Sequence, residues 1–328
     1  MNPLEQLNLM VWLAWAPQGW FVRQGFELEA IGPTLALDLA LQRKLHRAGW
    51  KKSAVAPDLL LRHTAEGRWR LLECKQSSFG ADSSTAAQAA ALLVLTPRWF
   101  AQARAILANQ VAQVEVCYAL NAGHEEAQQA ALEELRQRVQ SLGVAANPAG
   151  AFGMYQEAAT LLLKGAPQAP CAHPPQKVDL PPEGVYPLLP VDPSIDAKDP
   201  AAWEDLQERL RSGLVAWMGK HLPQAVAQPV ALHLEDDLLR RVILVWEVWE
   251  DAGRKAVRRR ARAFVRTLLK PLRKHFTLYE EAPSGQVWHF QVADQAAAEA
   301  ITKGLIAAAA RRRGLDGSAP PQPSLFEV

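Results

Sequence analysis

Apolar positions along this chain follow two spacings, one helical and one extended. Leu35, Leu39, Leu41 and Leu45 fall roughly on one face of a helix over Thr34–Trp50, and Gly49 ends it. The segments SAVAPDLLLRH and RWRLLECKQ predict two strands joined by the turn TAEG. SSTAAQAAALLVL opens on hydroxyl side chains and continues as a strong helix former. Pro97 interrupts that run, and RWFAQARAILANQ predicts a further helix. QVEVCYAL predicts a short buried strand, and EEAQQAALEELRQRVQSLG a charged surface helix ending at Gly143. The order helix, hairpin, helix, strand suggests a mixed α/β sheet with helical cover.

The pattern then lapses. Residues 165–193, GAPQAPCAHPPQKVDLPPEGVYPLLPVDP, are rich in proline and have almost no periodicity, which predicts a semi-extended linker. Beyond it, AAWEDLQERLRSGLVAWMGKHL predicts a helix and RRVILVWEVWE a strand. A basic helix, the strand QVWHFQVA and the helix DQAAAEAITKGLIAAAARRRG follow. The expected organisation is a first domain over 1–164, a linker over 165–193, a smaller α+β domain over 194–314 and a disordered tail over 315–328.

Composition narrows the classes. At 328 residues the chain is long enough for two cores, and its net charge of +2 leaves nucleic-acid binding to local charge. Cys74, Cys117 and Cys171 are few, odd in number and far apart, so they suit neither a disulfide framework nor a CxxC site; a reducing, cytoplasmic location is expected. The run LNLMVWLAWAP is too short to span a bilayer and lacks a basic flank, so it reads as a buried helix or strand, with no membrane partner expected. No GxxxxGK[ST] pattern is present, so ATP-driven work would need a separate ATPase or helicase subunit.

Candidate chemistry concentrates in the hairpin. Glu73 and Lys75 share a strand face with Trp69 and Leu71, while Cys74 points the other way. A two-residue loop at Ala65–Glu66 pairs Thr64 with Gly67 and so opposes Asp58 to Glu73; a loop at Glu66–Gly67 opposes Asp58 to Lys75. Two carboxylates so placed repel unless a cation lies between them. Mg²⁺ or Mn²⁺ suits such a site, with Asp58, Glu73 and the Cys74 carbonyl as ligands. Lys75 would orient water or stabilise transition-state charge. The plain alternative is a surface salt-bridge cluster, worth little to stability. Against it, both acids are embedded in apolar strands, where unpaired charge is costly.

Pro57-Asp58 followed fifteen residues later by Glu73-Cys74-Lys75 resembles the signature of the PD-(D/E)xK nuclease superfamily, over roughly Gly25 to Leu120. The resemblance implies a restriction-endonuclease-like mixed sheet flanked by helices and metal-dependent phosphodiester hydrolysis. It makes Asp58 and Glu73 the metal-binding acids and Lys75 the catalytic lysine. It also implies an acid on the first helix, for which Asp38 is the best match with Glu29 and Glu27 as rivals. Some branches add a glutamine after the lysine strand, matched by Gln88 or by Gln76.

Two further segments bear on partners. RKAVRRRARAFVRTLLKPLRK, Arg254 to Lys274, holds ten Lys or Arg and no acid. On a helix, Lys255, Arg259, Arg262, Arg266 and Lys270 form one stripe, backed by Val257, Ala261, Phe264, Leu268 and Leu272, with Pro271 ending or kinking it near Lys270. Such a stripe suits a phosphate backbone without reading sequence. A solvated basic face balanced by neighbouring acids and an anionic membrane surface are the alternatives. Trp246 and Trp249, just upstream, are expected to pack in the core rather than stack on bases. At the C-terminus, Gln322, Ser324, Leu325 and Phe326 resemble the short bacterial sliding-clamp-binding motif, which implies a clamp partner. Together these segments predict a DNA nuclease, endo- or exo-acting, in bacterial defence, mobile-element or repair processes. The other class they allow is a catalytically silent nuclease-like subunit that binds DNA or assembles with partners; an RNA substrate would use the same chemistry.

Overall fold

A computed structural model describes residues 1–166, 175–182, 184–192, 203–280 and 287–312, and the chain divides into two compact units. The first comprises Met1–Leu189 with Glu247–Asp251; the second comprises Pro190–Trp246 and residues from Ala252 onward. The tail with Gln322, Ser324, Leu325 and Phe326 lies outside the described residues, as does Cys171.

The apolar N-terminal run forms helix α1 (Pro3–Trp15). Asn2 starts it with a reciprocal cap: its side chain accepts the Glu5 N–H at 2.8 Å and Glu5 accepts the Asn2 N–H at 2.8 Å. A short helix α2 (Trp20–Arg23) leads to strand β1 (Glu27–Ile31). The predicted helix from Thr34 is shorter than its periodicity suggests. Leu35–Ala36 is strand β2, helix α3 covers Leu39–Arg47, and strand β3 (Ala54–Val55) pairs with β2. Asp38 sets the boundary by accepting the Ala40 N–H at 2.7 Å as N-cap, which turns Leu39 outward to 66% exposure. Leu41 and Leu45 do face the core.

Strands β4 (Leu59–His63) and β5 (Arg68–Lys75) form the expected antiparallel hairpin. Its first strand begins later than the sequence pattern, because Pro57 separates β4 from β3. Helices α4 (Ala86–Leu93) and α5 (Pro97–Arg104) cross over to strand β6 (Gln113–Asn121), which runs parallel to β5. Helix α6 (Glu125–Ser141) leads to the parallel strand β7 (Ala149–Glu157), and the antiparallel strands β8 (Thr160–Gly165) and β9 (Gln176–Asp179) complete the sheet. Its order is β1-β4-β5-β6-β7-β8-β9, so the first unit is an α/β structure around a mixed seven-stranded sheet flanked by helices. β9 falls within the segment predicted as linker, where its few residues gain order by pairing with β8. Leu189, also in that segment, exchanges two hydrogen bonds with the Asn8 side chain, at 2.9 and 2.7 Å.

The sheet carries a core on one face, where Trp69, Leu71, Val114, Val116 and Leu120 meet the alanine-rich α4 and the inner side of α6. Small side chains at Ala86, Ala89 and Ala90 allow α4 to lie close to the strands, and all three are fully buried. This close seat determines which α4 side chain reaches the end of β5.

The second unit pairs strands β10 (Val230–His233), β11 (Phe276–Glu280) and β12 (Val287–Val292) in the order β10-β12-β11. Helices α7 (Glu204–His221), α9 (Asp251–Leu269) and α10 (Gln295–Arg312) accompany them. The predicted strand RRVILVWEVWE is instead a short helix, α8 (Arg240–Val242), then a turn and a 3₁₀ segment at Trp246–Val248. It follows a π-helical turn over Leu234–Leu239, which carries Leu238 and Leu239 into the core. Trp246 is buried and donates its indole N–H to Glu235 at 2.9 Å, the core role expected of it.

Candidate active site

The site begins with hairpin register. Leu59 pairs with Leu72 and Leu60 with Leu71, the register of the two-residue loop at Ala65–Glu66. Continued by one residue, it brings Asp58 opposite Glu73. Asp58 sits at the bend just before β4, where its carboxylate accepts the Cys74 N–H at 2.6 Å and its carbonyl accepts the Gly32 N–H at 2.9 Å. These bonds fix the acid against the end of β5. The parallel neighbour β6 places Tyr118 beside Glu73 and Leu120 beside Lys75.

Glu73 is fully buried. Gln88, on α4, donates to its Oε1 at 2.7 Å and reaches the Ala56 carbonyl at 3.4 Å. Lys75 Nζ approaches Oε2 at 2.8 Å as an ion pair, but Oε2 has no aligned hydrogen bond. Burial raises the Glu73 pKa to about 7, with the Asp58 charge adding to the shift and Lys75 and Gln88 opposing it. Burial alone would lower Lys75, yet Glu73 and Asp58 outweigh it and raise its pKa, so the lysine stays charged at neutral pH. Asp58 and Lys75 are half-buried, which opens one side of the cluster to solvent.

This raised acid predicts a pH signature. The folded Glu73 holds its proton up to about 7, whereas the unfolded one releases it near 4.5. Stability contributed by this group is therefore complete below about pH 4.5 and is lost as pH rises through about 7. In metal-free buffer, Glu73→Gln should remove a decline of about 3 kcal/mol between pH 4.5 and pH 8, taking about 1.4 kcal/mol per unit. Urea melts of both proteins across that range, with parallel pH dependence counting against the assignment, test it.

Of the residues singled out in the sequence, Asp58, Glu73, Lys75 and Gln88 come together here. Cys74 joins through its N–H, and burial pushes its thiol well above the usual range. Asp38 does not join them: its carboxylate is used as the α3 cap, so the acid matched by distance to Gly49 has a local structural task. Glu27 and Glu29 lie on β1, a strand and not a helix. The helix packed at the ends of β5 and β6 is α1, and it brings an amide. Buried Gln6 donates to the carbonyls of Lys75 and Ala119 at 3.1 and 3.0 Å and accepts from Gln76 at 2.7 Å. Gln76 thus braces α1 rather than the carboxylates. Gln6, Tyr118 and Gln128 were missed. Their signal was a polar side chain at a position whose helix or strand neighbours are apolar.

Among the described residues, no group of three or more His, Cys, Asp or Glu side chains gathers as a metal cage. The donor set is two carboxylates, one of them with an oxygen lacking an aligned hydrogen bond, and that set fits a hard divalent ion that keeps several waters.

In the second unit, α9 ends at Leu269 and a 3₁₀ turn begins at Lys270, as Pro271 predicts. Val257 and Ala261 are buried as expected, but the inward stripe continues through Val265 and Leu269, leaving Phe264, Leu268 and Leu272 half-buried. Arg258 pairs with Glu235 at 2.9 Å, and Arg260 lies over Trp203 at 4.2 Å. Lys255, Arg259, Arg266 and Lys270 are exposed, and Arg262 is half-buried. Among the described residues no helix is long and apolar enough to cross a membrane.

Comparison of the chain with protein-family models, with curated proteins and with solved structures finds no match.

Proposed function

We propose that the first unit is a restriction-endonuclease-like nuclease that hydrolyses DNA phosphodiesters with Mg²⁺ or Mn²⁺. The observation carrying this reading is the hairpin register, which sets Asp58 beside Glu73 and adds Lys75 and Gln88 to the same carboxylate. The strand order β1-β4-β5-β6, antiparallel through the hairpin and parallel beyond it, supports the same class. A bare surface salt bridge is disfavoured because Glu73 is fully buried and its pKa stays raised even with the Lys75 ammonium 2.8 Å away.

Each side chain then has a task. Asp58 and Glu73 would hold the cation, which supplies polarisation of the phosphate and acidification of a water. Gln88 keeps the Glu73 carboxylate from rotating by holding Oε1. Lys75, charged and half-exposed, faces solvent where the phosphate would lie and offsets charge gained in the transition state. The exposed cations of α9 would hold the DNA backbone.

The test is cleavage of supercoiled plasmid, linear duplex and single-stranded DNA with either cation and with EDTA. Cation-dependent products from any of them are expected. A wild-type protein that cuts none would move weight to the silent, partner-dependent subunit. Recruitment by a sliding clamp is a separate proposal; removing Pro321–Val328 should abolish binding to purified clamp in a titration calorimeter, and unaltered binding refutes it.

A further inference from the structure

Two fully buried side chains near Glu73 each carry a polar atom without a hydrogen-bond partner among the described residues. These atoms are the Tyr118 hydroxyl and Gln128 Nε2, whereas Glu73 Oε2 has the Lys75 ammonium at 2.8 Å. Tyr118 is the direct register partner of Glu73 across parallel strands, which lie about 4.8 Å apart. Its ring meets Phe79 edge-on at 5.5 Å, and the Phe79 N–H donates to Gln128 Oε1 at 3.0 Å. Phe79 therefore ties the tyrosine of β6 to the glutamine of α6 on the carboxylate side of the sheet.

An unpaired buried polar group costs on the order of 1–3 kcal/mol, so two joined through Phe79 call for a shared explanation. A packing role does not supply one, because phenylalanine and leucine would fill the space without that cost. Buried solvent does: such waters make about three hydrogen bonds to polar groups left over by the protein. The Tyr118 pKa is pushed well above its usual range by burial and then by Glu73 and Asp58, so the hydroxyl keeps its proton and remains a donor.

We propose that Tyr118, backed by Gln128, is a positioning residue that holds the Glu73 carboxylate through buried solvent and so tunes its grip on the divalent cation. The inference rests on the metal-site reading of Asp58 and Glu73. Partners at this remove from a metal usually change affinity by about 10–100-fold.

The test is Mn²⁺ binding to the metal-free protein, followed by the electron paramagnetic resonance signal of unbound Mn²⁺, for wild type, Tyr118→Phe and Glu73→Gln. Tyr118→Phe keeps the ring and removes one atom. About a tenfold rise in its Mn²⁺ Kd is expected, together with a lowered melting temperature, since the buried solvent loses a partner. Glu73→Gln should lose the site. An unchanged Kd in Tyr118→Phe, with binding lost in Glu73→Gln, overturns this inference and leaves the metal site standing. Unchanged binding in Glu73→Gln overturns the metal site itself, and the inference with it. A melting temperature raised by Tyr118→Phe with unaltered Mn²⁺ affinity marks the hydroxyl as an unpaired packing group and also overturns it.

Discussion

Lys75→Ala is expected to lower the rate of cation-supported DNA cleavage by about 10³-fold, equivalent to roughly 4 kcal/mol of transition-state stabilisation, with DNA affinity almost unchanged. The magnitude follows from where the charge sits. The ammonium is held 2.8 Å from Glu73 Oε2 and keeps its proton at neutral pH, so in the proposed nuclease it would act as a fixed charge beside the reacting phosphate. Alanine removes that charge and also relieves the opposition it offers to the raised pKa of Glu73, so the carboxylate becomes harder to ionise. Raising the pH or the Mn²⁺ concentration should therefore recover part of the loss, whereas Asp58→Ala should not be recovered in this way. Single-turnover rates across pH and Mn²⁺, alongside filter-binding affinity, separate the two. Parallel loss of cutting and binding in Lys75→Ala would sink the catalytic assignment.

Changing Lys255, Arg259 and Lys270 together to glutamine should weaken duplex binding by about tenfold or more and flatten the plot of log affinity against log salt by about 2.7, at roughly 0.9 per phosphate contact. These three are chosen because they are exposed. Arg258 and Arg260 are engaged with Glu235 and Trp203, and replacing them would disturb packing as well as charge. Neutral substitution on the outer stripe leaves Val257, Ala261, Val265 and Leu269 in place, so the fold should survive. An unchanged salt slope would take α9 out of the DNA-binding surface.

The hairpin was the most legible part of the sequence because both its determinants are local. A short turn fixes which residues oppose each other, and strand alternation fixes which face they share. Asp58, Glu73 and Lys75 could therefore be grouped before any fold was known. Gln88 was legible only as a polar residue in an alanine-rich helix; its bond to Glu73 depends on how closely that helix sits on the sheet. Tyr118 was harder, since the parallel pairing of β5 with β6 joins segments with two helices between them and leaves no local trace. The errors were local as well. RRVILVWEVWE has the apolar content of a strand, but the acids before it form a π-helical turn and carry the segment into a short helix and a 3₁₀ turn. Asp38 was assigned by its distance to Gly49, yet a single carboxylate two residues ahead of an unpaired N–H served as an N-cap instead.

The paired hydrogen bonds between the Asn8 amide and the Leu189 backbone fasten the beginning of the Met1–Leu189 segment to its end. They imitate a rung of β-ladder with a side chain in place of one strand. A fragment trimmed at residue 164 would lose this clasp and the strand β9, leaving the backbone of β8 as a naked edge open to pairing with other molecules. With its ends already side by side, the Met1–Leu189 segment has the geometry of a ring, and a short linker between them would permit circular permutation at an exposed loop elsewhere.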